Sequence, residues 1–236
     1  MAKIALSIVL PCYNESGNIP FIIERFSAIL PSDLAVEVIL VNNGSSDDSK
    51  IIFEQELSKQ NDARFKVVDV PVNKGYGHGI LEGLKGASGD AFSWTHADMQ
   101  TDPADVIKAY RVWKESGGES VFVKGKRLNR AWVEAFFTFG MQVFTLFVLR
   151  INLNDINAQP KVFGRGFYTD VLKEGAPQDF SLDLYAYYHG KKKLTLKTIP
   201  VYFNKRLHGE AKGGGSFKTR LKLIDRTIRY IWQLKL

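Results

Sequence analysis

The sequence predicts an α/β protein, with a mostly parallel sheet flanked by helices. Three observations predict it. Short runs rich in valine, isoleucine and leucine alternate with longer stretches of helical periodicity. The first of these runs are almost continuously apolar, as strands covered on both faces must be. The unusual polar clusters, at 11–15, 42–47 and 96–100, each follow directly on a run, and parallel sheets bind ligands at the carboxyl ends of their strands.

The elements follow in order. Strands are predicted over 4–10, 36–41, 65–70, 91–95 and 120–123, and helices near 19–30, 48–59, 77–87 and 102–115. Alternation at this spacing implies parallel strands joined by right-handed crossovers. From about residue 126 the pattern changes. The stretch 131–149 carries one charge, Glu134, among Phe136, Phe137, Phe139, Met141, Phe144 and Phe147. A strand pair is expected at 194–199 and 201–203, and a helix from 216 to 236. Without repeats or a low-complexity linker, the chain reads as one domain over 1–236.

Composition bounds the rest. A chain of 236 residues, 45% hydrophobic and 24% charged, can bury a substantial core and is not dominated by disorder. A single cysteine, Cys12, excludes an intramolecular disulfide and any multi-cysteine zinc site. A net charge of +7 draws nucleic acid, anionic lipid or phosphate-bearing molecules without choosing among them. The run 4–10 reads as a buried strand and not as the core of a signal peptide.

Four clusters can carry chemistry. Pro11, Tyr13 and Glu15 offer a flat apolar surface and a carboxylate, enough to hold a heterocycle; the same residues also make an ordinary strand-to-helix turn. In Asn42-Asn43-Gly44-Ser45-Ser46-Asp47, Ser46 or Asp47 suits a helix cap, whereas two asparagines exceed what capping needs. Asn73-Lys74-Gly75-Tyr76-Gly77 places glycines ahead of a helix, so that backbone amides such as that of Gly75 can approach a phosphate, with Lys74 adding charge. His96, Asp98 and Gln100 alternate after the fourth strand. On an extended segment they point to one side, a donor set suited to Mn²⁺ or Mg²⁺ on a diphosphate.

Together these clusters resemble family 2 glycosyltransferases, in particular the dolichol- and polyprenol-phosphate sugar synthases. That family reads Pro-x-Tyr-Asn-Glu, Val-Asp-Asp-Gly-Ser-x-Asp, Asn-x-Gly-x-Gly and Asp-Ala-Asp-x-Gln, in the order and spacing found here over roughly residues 4–130. The run Arg206-Leu207-His208-Gly209-Glu210-Ala211-Lys212 resembles the family's Arg-x-x-Gly-Glu-Ser-Lys stretch. The resemblance implies a GT-A fold, with a nucleotide-sugar-binding half over 1–125, an acceptor half over 126–215 and a basic C-terminal helix over 216–236. It implies direct, inverting transfer of a sugar from a nucleotide-diphosphate donor, with Mn²⁺ or Mg²⁺. Pro11, Tyr13 and Glu15 would hold the base. Asn42 or Asn43 would stand in for the family's base-contacting aspartate. Asp98 would bind the metal with help from Gln100, and His96 replaces the first aspartate of that motif. Arg127 would lie near the transferred sugar and the acceptor, and Arg206 and Lys212 would engage phosphates.

The second half suggests a membrane-borne acceptor. The uncharged stretch 135–149 is too short to span a bilayer as a helix. In the polyprenol-phosphate branch the comparable region lies at the membrane interface. In the tail, Phe217, Leu221, Ile224, Ile228 and Ile231 form one helical stripe among Lys218, Arg220, Lys222, Arg226, Arg229 and Lys235. Such a helix can lie on anionic lipid or dock its stripe on the domain. The expectation is a cytoplasmic protein, peripheral at the inner face of the membrane, with a polyprenyl phosphate or other membrane lipid as acceptor. The alternative is a soluble or glycan hydroxyl acceptor with Asp183 as base; Asp155 is a further candidate for orienting donor or acceptor. A nucleotidylyltransferase would place a glycine-rich, arginine-lysine loop where Pro11–Glu15 stands. A basic nucleic-acid-binding α/β domain would show its charge and aromatics without the metal-like cluster, so no nucleic-acid partner is expected.

Overall fold

Uninterrupted β-branched and leucine runs give strands that can be covered on both faces. The computed structural model describes residues 3–129, 132–204, 206–208 and 217–235, with only the backbone for 132–138 and 217–223. The strands are β1 (Leu6–Cys12), β2 (Val36–Asn43), β3 (Phe65–Val70), β4 (Ala91–Trp94), β5 (Val121–Arg127), β6 (Lys161–Gly164) and β7 (Thr195–Val201). They form one sheet in the order β3-β2-β1-β4-β6-β5-β7. β3, β2, β1 and β4 run parallel, as does β5 with β7. β6 enters antiparallel between β4 and β5.

Helices α1 (Ile19–Ile29), α2 (Ser49–Gln60) and α4 (Ala104–Glu115) cover one face around Leu6, Ile8, Leu10, Phe26 and Phe53. The other face packs α3 (Tyr76–Lys85), the short α6 (Arg165–Phe167) with the π-helical turn Tyr168–Leu172, and α7 (Ser181–Lys193) around Val9, Val41, Trp94, Phe122 and Phe163. A third cluster lies where α7 meets α5 (Trp132–Leu149) and α8 (Phe217–Lys235), built from Leu149, Leu153, Leu184, Tyr187 and Ile231.

The mostly parallel expectation holds, and two details are corrected. An antiparallel strand, β6, was not anticipated: a lysine opens its four residues and hid them from an apolar-run reading. The expected strand pair at 194–203 is one strand, β7, laid parallel along β5; an edge strand tolerates Pro200. Of the two readings open for α8, docking describes its later turns: Ile231 is fully buried, α8 packs against α5 and α7, and Arg226 and Arg229 face out. Among the described residues no helix is long and apolar enough to cross a membrane.

At the amino ends of the strands, Glu37 is buried inside β2. It accepts from Ser7 Oγ (2.5 Å), Ser88 N (2.6 Å), Ser88 Oγ (2.8 Å) and Lys66 Nζ (2.6 Å). Burial alone would raise its carboxyl, but these donors outweigh it and hold the group down at about 2. A carboxylate with a lowered folded pKa stabilises the fold above the unfolded value of about 4.3, and that contribution is lost as pH falls toward about 2. In acid titrations followed by circular dichroism, Glu37→Gln is expected to cost on the order of 2–3 kcal/mol at neutral pH and to flatten the acid limb below pH ~4.3. An unchanged acid limb would refute the assignment.

Candidate active site

The loops after β1 and β2 are tied to each other by side chains. Asn14 takes a positive φ of 52°, which asparagine tolerates. Its backbone N–H donates to Ser45 Oγ (3.1 Å) and its side-chain oxygen accepts from Ser46 N (2.8 Å). Asp47 accepts from Ser16 N, Ser49 N and Ser49 Oγ. This clamp turns Tyr13, 36% exposed, to the mouth of the cleft, with Pro11 half-buried beneath and Glu15 almost covered.

The two asparagines after β2 separate by strand alternation. Asn43 faces α3: its Nδ2 donates to Gly75 O (3.0 Å) and Asn73 Oδ1 (3.4 Å). It is committed to holding the 73–75 loop. Asn42 faces the opposite side and donates from Nδ2 to Asp69 Oδ1 (2.8 Å).

The glycine cluster does something other than cradle a phosphate. Gly75 N donates to Asn73 Oδ1 (2.8 Å), and the amide of His78 in the first turn of α3 donates to Gln178 O (2.7 Å). A Cβ at Gly75 or Gly77 would stand 2.5–2.8 Å from backbone atoms of residues 177–179. These glycines let α3 close against the loop before α7, so the expectation that Gly75 offers its amide to a phosphate is corrected. Lys74 remains exposed beside them.

The segment after β4 is not extended. Asp98 Oδ1 accepts from Gln100 N (3.1 Å) and Met99 has a φ of 59°, so the chain turns and the period-two alignment of His96, Asp98 and Gln100 fails. His96 lies between the rings of Tyr76 and Phe203, both edge-on, with Nδ1 buried and without a hydrogen-bond partner. Gln100 Nε2 donates to Asn204 O (3.3 Å). Among the described residues no three His, Cys, Asp or Glu side chains converge as a ready metal cage.

One late residue draws the front of the site together. Arg206 reaches Glu15 Oε1 (3.2 Å) with one terminal nitrogen and Asp98 Oδ2 (2.8 Å) with the other. Its segment is anchored by His208, which stacks on Phe21 at 5.5 Å and whose carbonyl accepts from Asn18 Nδ2 (3.2 Å). Asn18 Nδ2 also donates to Glu15 Oε2 (2.5 Å). The carboxylates from the β1 and β4 ends are thus bridged by one guanidinium. Lys212 lies outside the described residues.

Behind them runs a buried polar core. Asp183 accepts from Lys161 Nζ (2.6 Å), Trp94 Nε1 (3.0 Å) and Gln159 Nε2 (3.1 Å). Burial pushes Lys161 down against the pull of Asp183. Gln159 Nε2 also donates to the Tyr76 hydroxyl (3.1 Å), and burial, with Asp183 and Asp98 nearby, raises that phenol. Arg127 is clasped by Asp155, through the backbone N–H to Oδ2 (2.8 Å) and Nε to Oδ1 (2.7 Å), and lies over the Phe203 ring. Burial would raise Asp155, but the Arg127 bonds hold it below the ordinary range. Burial brings Lys124 down to about 7. At Gly125 a Cβ would lie 2.0 Å from Gln159 O, so only glycine lets the cis-Pro160 turn approach β5. Asp183 is 2% exposed and enclosed by donors, and so holds this core together. The sequence reading gave no role to Lys161, Gln159, Tyr76 or Lys124. A signal for Lys124 existed, since it breaks the apolar run Val121–Val123. A cavity of about 160 Å³ opens beyond, lined by Arg127, Met141, Leu153, Phe180, Leu184 and Ile224.

Known proteins resemble this chain in family and fold. The family model described as glycosyl transferase family 2 matches residues 7–164. The undecaprenyl-phosphate 4-deoxy-4-formamido-L-arabinose transferase of Pseudomonas syringae pv. syringae is 30% identical over 128 residues, 54% of this chain and 38% of that protein. Its counterpart in Yersinia enterocolitica is 34% identical over 113 residues, 47% of this chain and 34% of that protein. The matched part thus spans little more than a third of these relatives' length. Among solved structures, the glucosyl-3-phosphoglycerate synthase of Mycobacterium tuberculosis with Mn²⁺, UDP-glucose and phosphoglyceric acid superposes with a TM-score of 0.72 at 18% identity, covering 98% of this chain and 79% of that one. A mannosyltransferase of Pyrobaculum calidifontis with GDP-mannose and Mn²⁺ gives 0.67 at 17%, covering 97% and 65%. At such identity the likeness is one of fold, and it bears out the GT-A expectation.

The buried pair gives a test. Removing one member leaves an uncompensated charge, so Lys161→Met is expected to destabilise the protein by about 3–5 kcal/mol in urea denaturation. A loss below about 1 kcal/mol would mean that the pair is solvated in solution.

Proposed function

The chain belongs to glycosyl transferase family 2, and from that premise we propose that it transfers a sugar from a nucleotide-diphosphate donor to a lipid phosphate at a membrane surface. The observation that carries the donor half is the meeting of Glu15 and Asp98 on Arg206 at the carboxyl ends of β1 and β4. Carboxylates and a guanidinium so arranged suit a diphosphate and its counter-cation.

Tyr13 and Pro11 hold the base, and Glu15, whose oxygens are taken by Asn18 and Arg206, fixes their loop beside it. Asp98 fits a divalent cation, since its outer oxygen already partners a positive group. With few protein donors at hand, Mn²⁺ or Mg²⁺ suits it, because such ions take much of their shell from phosphate and water. Gln100 helps from the same turn, while His96, held between two rings, serves as wall. When bound, the ion neutralises the departing diphosphate. Arg206, with Lys212 in the same late stretch, supplies further positive charge to phosphate oxygens. Displacement from the opposite face of the sugar inverts the anomeric centre.

The acceptor half rests on two features. The cavity beyond Arg127 sets one guanidinium, with Asn157, Ser181 and Thr227, among apolar walls from Met141, Leu153, Phe180, Leu184 and Ile224, a mixture suited to a phosphate joined to a hydrocarbon chain. A phosphate acceptor arrives as an anion and needs no base, which agrees with the enclosure of Asp183. Beside it, α5 exposes Phe139, Leu146 and Phe147, and α8 exposes Trp232, with Arg229 and Lys235 on the same helix. The chain is thereby suited to peripheral attachment at an anionic surface, with aromatic side chains entering and basic ones remaining outside.

Two outcomes follow. Asp98→Ala should abolish Mn²⁺-dependent binding of nucleoside diphosphates in calorimetry while leaving the circular dichroism spectrum intact; retained Mn²⁺ dependence would remove Asp98 from this role. The protein should sediment with liposomes containing anionic lipid and be released by high salt, since each basic residue near such a surface contributes only about 1 kcal/mol and is screened. Phe147→Ser should lower the bound fraction, and failure of the unaltered protein to sediment at any salt concentration would defeat the membrane reading.

A further inference from the structure

Cys12, Asn42 and Asp69 stand level across three adjacent parallel strands, on one face of the sheet and at its carboxyl end. Cys12 is buried, Asn42 is nearly so, and Asp69 is exposed on the edge strand. The amide of Asn42 is fixed at both atoms. Its Nδ2 donates to Asp69 Oδ1 (2.8 Å), and its Oδ1 accepts from Ser45 N (3.4 Å). One Nδ2 hydrogen remains, and so does the second carboxylate oxygen of Asp69. The neighbouring carboxylates of this rim are engaged within the protein. Asp47 holds the 16 and 49 amides, Glu15 holds Asn18 and Arg206, and Asp98 holds Gln100 and Arg206.

Resting on the nucleotide-sugar reading, we propose that Asp69 is a specificity residue for the base, reading its edge together with Asn42. Asn42 cannot act alone as a charged acceptor. Asp69, reaching across from β3, restores a carboxylate at that level of the cleft. The pair presents an acceptor beside a donor. That pattern complements a ring N–H next to a carbonyl, as in uracil and guanine, with Asp69 accepting from the ring nitrogen and Asn42 donating to the carbonyl. Adenine and cytosine bear a lone pair on the corresponding ring nitrogen, which would face the carboxylate unpaired.

The test is calorimetric binding of UDP, GDP, ADP and CDP, each with Mn²⁺, to the full chain and to two variants. The unaltered protein should bind UDP or GDP at least about tenfold more tightly than ADP and CDP. Asp69→Asn should weaken the preferred nucleotide by about tenfold or more, the range for a charge-assisted hydrogen bond, and leave ADP and CDP within about twofold. Combining Asn42→Asp with Asp69→Asn puts the carboxylate back one strand over and should recover most of the preference, an effect that mere loss of packing would not produce. If nucleotides bind but Asp69→Asn changes all four equally or none, the role of Asp69 is overturned while the donor reading stands. If no nucleoside diphosphate binds the unaltered protein at millimolar concentration, the donor reading falls and this inference with it.

Discussion

A lysine without exposed surface must find a counter-charge, and Lys161 finds it in Asp183 at 2.6 Å. Much of the rest follows from that pair. Lys161 opens β6, the strand that enters antiparallel between β4 and β5, while Asp183 sits in the first turn of α7. Their contact pins the inserted strand to α7. Trp94 and Gln159 donate to the same carboxylate, so the end of β4 and the turn before β6 are fixed at the same point. A carboxylate burdened in this way holds a framework together, and the chemistry is left to residues around it.

The pair also sets the electrostatics of its neighbours. Lys124, Lys161 and Arg127 occupy a small buried region with Asp155 and Asp183. Three cations against two anions leave an unfavourable surplus in a medium that solvates charge poorly. That surplus is relieved where burial brings Lys124 down to about 7, and where Arg127 locks onto Asp155. The Arg127 guanidinium is therefore held in one orientation between the Phe203 ring and the cavity wall.

Much of this was legible in the sequence, for physical reasons. Strands β1, β2 and β4 announced themselves because both faces of each are buried, and helices α1, α3 and α4 because each keeps an apolar side. The ligand-facing clusters announced themselves because unneeded polar groups at strand ends are conspicuous. Glu15, Asp98 and Arg206, far apart in sequence, do converge. What stayed hidden was what depends on the partner. β6 is short and begins with a charge, so nothing marked it as a strand until Asp183 was seen beneath Lys161. The glycines at 75 and 77 looked like a phosphate loop because close approach leaves the same signature whether the visitor is a ligand or the backbone at 177–179. The stripe on α8 was equally compatible with lipid and with protein, and contact with Tyr187 and Leu149 shows only its Ile231 end docked on the protein. Asp69 passed as an ordinary edge residue, since its meaning lies in the amide one strand away.

The guanidinium between Glu15 and Asp98 has a thermodynamic consequence. Two carboxylates left alone at a cleft mouth would form an anionic trap, attracting any divalent ion in solution and repelling the phosphates of a donor. With Arg206 between them one of the two negative charges is offset, and on the proposed reading occupation would be an exchange in which Asp98 gives up one positive partner for another. On the proposed reading, a cation without a diphosphate would have to compete with the tethered arginine, whereas with a donor present Arg206 could pass to phosphate oxygen and leave neither charge stranded. The arginine would then bias the site toward metal and donor entering as a unit and against stray cations, although a guanidinium can itself never bind a metal.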